Sequence, residues 1–141
     1  MSKIKEHLEL IAGVVSGEQK GFYTWLLKEG RLFTQKDFLE TKSRELSDEV
    51  GAELKMCYRN SHHVQDVTGL DYYEGFYVFE DLGIVTEHGF NVEDGKVIDV
   101  TSILLKYGQP IEWYGVKVEL DDSIEYYGDG IKNQYKKHIK S

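Results

Sequence analysis

The stretch Glu87-His88-Gly89-Phe90-Asn91-Val92-Glu93-Asp94-Gly95-Lys96-Val97-Ile98-Asp99-Val100-Thr101 decides the fold. Two β-prone runs flank Asp94-Gly95, a strong signal for a two-residue hairpin turn. With that turn Glu93 pairs with Lys96, and counting outward sets His88 opposite Thr101. Residues directly opposite share a face, and so do positions two apart on a strand. His88 and Asp99 are therefore predicted to be diagonal neighbours on one face, roughly 7–8 Å apart at the backbone and within side-chain reach of a hydrogen bond. An Asp inside this run goes against strand preference, as functional positions often do, or else it closes a turn.

Working outward, aromatic and β-branched runs at Tyr72–Phe79, Ile84–Val92, Lys96–Val100 and Trp113–Leu120 read as strands, with a weaker one at Ile124–Tyr127. Upstream the periodicity is helical. Ile4, Leu8, Ile11 and Val15 mark an amphipathic helix stopped by Ser16-Gly17, and Phe22, Trp25, Leu26 and Leu27 mark a second that ends at Gly30, read as a C′ glycine. Residues 31–46 are charged and weakly periodic, and suggest a short helix around Asp37–Arg44 with a loop. Helices first and strands after give an α+β class in one domain: a mostly helical part over 1–50, a helix-plus-sheet core over 55–120 and a tail over 121–141.

The chain has 141 residues, enough for one core without disulfides, and its single Cys cannot form an internal one. Seventeen Lys and Arg stand against 25 Asp and Glu, a formal net charge of −8 that argues against nucleic acid as the main partner. The cluster Lys132, Lys136, Lys137, Lys140 reads as a solvated helix face. No stretch approaches the roughly 20 apolar residues of a membrane span, and no basic-then-apolar leader precedes the helices. The expected setting is the reducing cytosol, with no membrane and no cofactor. Gly13-Val14-Val15-Ser16-Gly17 lacks the Lys and the preceding strand of a phosphate loop.

The candidates for chemistry are Cys57, His88 and Asp99. Cys57 opens the segment Cys57–Gln65, which reads as helical, and a thiol at a helix start beside an imidazolium favours the nucleophilic thiolate. Backbone N–H groups at that helix end suit part of an oxyanion hole. A carboxylate at Asp99 would fix the tautomer of His88 and stabilise its cation. A second reading makes Cys57 structural. Val50, Leu54, Cys57, Ser61 and Val64 lie on one face of a continuous helix capped by Ser47. His62 and His63 point about 100° apart and read as solvent-facing; a zinc site made from Cys57, one of them and His88 is a lesser alternative, and no metal is expected. Glu74 either lines the cleft or stands beside a bulge at Gly75, while Tyr107 and Tyr114 suit cleft or core.

The motifs Met56-Cys57-Tyr58-Arg59-Asn60, Tyr73-Glu74-Gly75, Glu87-His88-Gly89-Phe90-Asn91, Asp94-Gly95-Lys96-Val97-Ile98-Asp99-Val100-Thr101 and Tyr114-Gly115-Val116 resemble those of small bacterial and phage proteins. Those proteins carry a Cys-aromatic-x-Asn helix start, a Tyr-x-Glu-Gly strand, a His-Ala-Trp-Asn strand and a Gly-x-Val-x-Asp-Pro-Thr strand. The layout is similar to the transglutaminase-like branch of the papain-like cysteine fold. Over residues 55–118 the resemblance implies Cys57 as nucleophile, His88 as general base and Asp99 as its orienting partner, with Glu74, Asn60 and Tyr114 near the substrate. Gly89-Phe90 stands where Ala-Trp is usual, and Val100 where Pro is usual. Two functions follow as expectations. One is a cysteine-dependent acyl-transfer enzyme acting on a protein or small amide as a peptidase, amidase, deamidase or transglutaminase. The other is a non-catalytic binder on the same fold, such as a phage-encoded inhibitor of a host protein or nucleotide signal, which abundant Tyr would suit.

Overall fold

A computed structural model describes residues 2–81, 83–106, 108–119 and 128–140. The hairpin forms as its turn dictates. Asp94 and Gly95 both take positive φ, 49° and 77°, and Glu93 faces Lys96, Val92 faces Val97 and Asn91 faces Ile98. Around it the strands β1 (Arg31–Thr34), β2 (Asp71–Val78), β3 (Val85–Glu93), β4 (Lys96–Ile98) and β5 (Glu112–Lys117) build one antiparallel sheet in the order β1-β5-β2-β3-β4. The helices are α1 (Lys3–Val14), α2 (Gly17–Glu29), α3 (Glu40–Val50), α4 (Cys57–Thr68) and α5 (Gly130–Lys140). The α+β class is thus observed among the described residues. The strand expected at Ile124–Tyr127 and the side chain of Tyr107 lie outside them.

Alternation along the strands sorts the core into two layers. Tyr72, Val78, Tyr114 and Val116 pack with Ile4, Leu8, Trp25, Leu26, Ile131 and Tyr135 from α1, α2 and α5. On the other face Phe33, Tyr73, Phe90, Val92, Val97 and Trp113 form an aromatic cluster. A third group, Leu46, Val64, Ile98 and Val100, joins α3 and α4 to the hairpin. In the middle of the sheet Gly75 faces both His88 and Gly115. A Cβ on Gly75 would lie 2.0 Å from the carbonyl oxygen of Tyr114, so only glycine lets β2 and β5 approach there.

Several expectations change. Residues 31–34 form a strand, not a loop: only Phe33 of β1 is buried, too little for the alternation to register. Gly30 is not a left-handed cap, since its φ and ψ are −71° and 156°. It is glycine because a Cβ would meet the Tyr114 ring at 2.2 Å. The continuous helix through Val50 and Cys57 does not form. Gly51 ends α3 in the left-handed region, Lys55 also has positive φ, and α4 starts afresh at Cys57, leaving Leu54 exposed. His62 is buried, not solvent-facing, with its ring 4.2 Å from that of Tyr72. The strand expected to run to Val100 stops at Ile98, and the N–H of the next residue, Asp99, donates on the outer edge to the Ser43 hydroxyl of α3 at 3.0 Å.

Candidate active site

Where β4 stops, the chain turns at Asp99, and the turn and the site share one carboxylate. Oδ1 of Asp99 accepts the backbone N–H groups of Thr101 and Ser102 at 3.2 and 3.0 Å, closing the turn into a short 3-10 segment, Ser102–Leu104. Oδ2 faces Nε2 of His88 at 2.7 Å and accepts the indole N–H of Trp113 at 2.8 Å. One oxygen of Asp99 thus closes a turn while the other holds the His88 ring. His88, Asp99 and Trp113 are each at most 3% exposed. A buried carboxylate with four partners meets the rule that buried charge be paired and hydrogen-bonded.

Burial alone would push His88 toward its neutral form. The charge and hydrogen bond of Asp99 outweigh it, a hydrogen bond and charge from Cys57 add to them, and the imidazole is raised to about 10. Burial likewise opposes the charge on Asp99, yet His88 and the Ser102 hydrogen bonds hold its carboxyl below the usual value. The pair is therefore ionic near neutral pH. With Nε2 on Asp99, the other ring nitrogen is left for the thiol. The ring is held flat from one side by Tyr77, stacked at 4.1 Å between centroids and within 5° of parallel.

Cys57 is half-buried and is the first residue of α4, as its helical segment predicted. The first N–H groups of a helix have no carbonyl partners within it. The start of α4 lies against β3 beside His88: a Cβ on Gly89 would meet the Tyr58 ring at 2.7 Å. That contact gives a physical reason for glycine at 89, where the resembled motif has alanine. The turn leading into Cys57 is fixed by Asn60. Its side-chain amide receives the N–H of Glu53 at 3.2 Å and donates to the Glu53 carbonyl at 2.8 Å and the Thr101 hydroxyl at 2.9 Å.

The side chains expected near substrate are engaged inside the fold. Asn60 holds the turn just described. Tyr114 is buried with its hydroxyl on the carbonyls of Leu26 and Leu27, at 2.8 and 3.0 Å. Glu74 is buried, accepting from the Tyr72 hydroxyl at 2.7 Å and from the Ile131 N–H in the first turn of α5 at 2.8 Å, where a carboxylate complements the helix dipole. Trp113, Tyr77 and Ser43 were not singled out from the sequence. A signal existed only for Trp113, since a tryptophan in a buried strand needs an acceptor for its N–H. Comparison with protein-family models, with curated proteins and with solved structures gave no significant match.

Proposed function

We propose that this chain is a cysteine-dependent acyl-transfer enzyme, with Cys57 as nucleophile, His88 as acid and base and Asp99 as the group that orients His88, on a core resembling the transglutaminase-like branch of the papain-like fold. The observation that carries the reading is the buried 2.7 Å pair of His88 Nε2 and Asp99 Oδ2, with Cys57 at the start of α4 near enough to help raise the His88 imidazole. A cationic His88 suits the resting thiolate and imidazolium of such enzymes. In the reaction, Cys57 Sγ attacks the substrate carbonyl, and the N–H groups at the start of α4 take the developing oxyanion. His88 gives its proton to the leaving amine, which departs and leaves a thioester on Cys57. Water or a second amine then attacks the thioester, His88 takes a proton from it, and the thiolate is released.

Alkylation of Cys57 by iodoacetamide between pH 5 and 9 tests this, and the lone cysteine supplies the whole signal. The expected result is faster labelling of native than of urea-unfolded protein near pH 6, with that advantage lost in His88→Gln and in Asp99→Asn. Native protein that labels only on unfolding would overturn the nucleophile and leave a non-catalytic binder in its place.

A further inference from the structure

Gly75 faces His88 across β2 and β3, so the imidazole has no side chain directly opposite it on β2. The next residue on that face of β2 is Tyr77, a diagonal neighbour of His88, and an aromatic ring is long enough to lean across such a diagonal. The Tyr77 ring does so, lying over the imidazole at 4.1 Å between centroids and 5° from parallel. It is braced in turn. Trp113 stands opposite Tyr77 on β5, and Phe79 meets its ring edge-on at 5.1 Å and 64°. A second ring close to parallel with the imidazole, that of Phe90, stands 6.4 Å away.

The stack supplies two things that the Asp99 contact lacks. Nε2 lies near the line of the Cβ–Cγ bond, so a partner there sets the ring plane only loosely, and a torsion onto a flat ring is intrinsically broad. A parallel aromatic face fixes that plane, and with it the direction in which the other ring nitrogen aims. The face is also the negative pole of the ring quadrupole, which attracts a cation within about 6 Å far more than a neutral imidazole. At 3% exposure, His88 has little water to compete with that attraction. The groups that face the imidazole are Asp99 from the end of β4, Cys57 from α4 and Tyr77 from β2, whereas Glu74 and Glu87 project from the opposite face of the sheet.

Resting on the proposed role of His88, we infer that Tyr77 is a positioning residue of this site, its ring face holding both the plane of the imidazole and its cationic form. The resting thiolate and imidazolium at Cys57 and His88 are thereby favoured by the stack as well as by Asp99.

The first arm of the test follows the His88 ring protons by nuclear magnetic resonance from pH 6 to 11. It uses the full chain with Tyr77→Phe, with Tyr77→Leu, and with 3,5-difluorophenylalanine or pentafluorophenylalanine built in at position 77. Fluorine withdraws charge from the ring face and keeps the ring's shape, so packing is preserved. The His88 midpoint should fall stepwise with fluorination, by about one pH unit from Tyr77→Phe to the pentafluoro ring, and about as far in Tyr77→Leu. A midpoint level through the series would overturn the proposal, since a ring that only fills space is indifferent to fluorine. A Tyr77→Phe protein that matches Tyr77→Leu would overturn it too, by assigning the effect to the hydroxyl.

The second arm measures Cys57 alkylation by iodoacetamide against pH in the same proteins. Its alkaline inflection should move with the His88 midpoint, and the advantage of native over unfolded protein near pH 6 should shrink in Tyr77→Leu while the flat fluorinated rings keep it. An inflection that stays in place as the midpoint moves, or an undiminished advantage in Tyr77→Leu, would overturn the positioning role. Stepwise midpoints in a protein whose native Cys57 labels in no variant would sink the enzyme reading and the positioning role with it, leaving a stacked histidine. Prompt native labelling that depends on His88, with level midpoints, would sink the role of Tyr77 alone.

Discussion

His88 and Trp113 converge on a single oxygen, Oδ2 of Asp99, at 2.7 and 2.8 Å. The indole adds no charge, yet it fixes the direction from which the imidazole can be held. In Trp113→Phe the ring packing is largely kept and one donor is lost. We expect a stability loss of about 1–3 kcal/mol in urea titration. The pH dependence of Cys57 alkylation should move as well, which a purely structural tryptophan would not cause.

The raised His88 gives a signed pH dependence. Its folded value of about 10 exceeds the ordinary 6.5, so its contribution to stability is complete below 6.5 and is lost as pH rises toward 10. Asp99, held low, contributes above its ordinary value of 3.8 and loses that contribution as pH falls below it. Chemical unfolding should therefore show stability declining between pH 6.5 and 10. That decline should flatten in His88→Gln; an unchanged slope would refute a cationic His88.

Breaking the pair from the other side is expected to be severe. Asp99→Ala removes the partner of a buried cation, the acceptor for Trp113 and the closure of the turn at once. A loss of about 3–5 kcal/mol is expected, measured as a lowered urea midpoint with unchanged slope.

Two glycine substitutions should act in opposite directions. Gly75→Ala places a methyl 2.0 Å from a backbone oxygen in the centre of the sheet, where nothing flexible can yield, so a loss of several kcal/mol or failure to fold is expected. Gly13→Ala lies in α1 with nothing within 4 Å of the added carbon, and should stabilise by about 0.5–1 kcal/mol. Thermal melts of the two proteins decide the matter.

The hairpin was legible because one dipeptide fixes its register, and with it the shared face of His88 and Asp99. The start of α4 at Cys57 was legible as well, though no capping side chain marks it. What stayed hidden depends on contacts between distant segments. β1 is a strand because β5 offers it a ladder from Arg31 to Thr34, and Trp113 reaches Asp99 only through that same arrangement. His62 reads as a surface residue by composition and becomes buried because the Tyr72 ring packs against it. Tyr114 and Asn60 carry polar groups that suit a cleft, but the Leu26 carbonyl and the 51–56 turn claim them first.

β5 is late in the chain yet interior to the sheet, lying between β1 and β2. During synthesis β1 emerges early but finds its ladder only after Lys117 has been made, a span of more than 80 residues that makes this pairing slow and the intermediate exposed. Cys57, His88 and Asp99 all precede β5, so a nascent chain already carries all three before the strand that brings the indole arrives. Insertion of β5 thus completes both the described sheet and the hydrogen bonding of Asp99, which leaves the carboxylate incompletely held until β5 is in place.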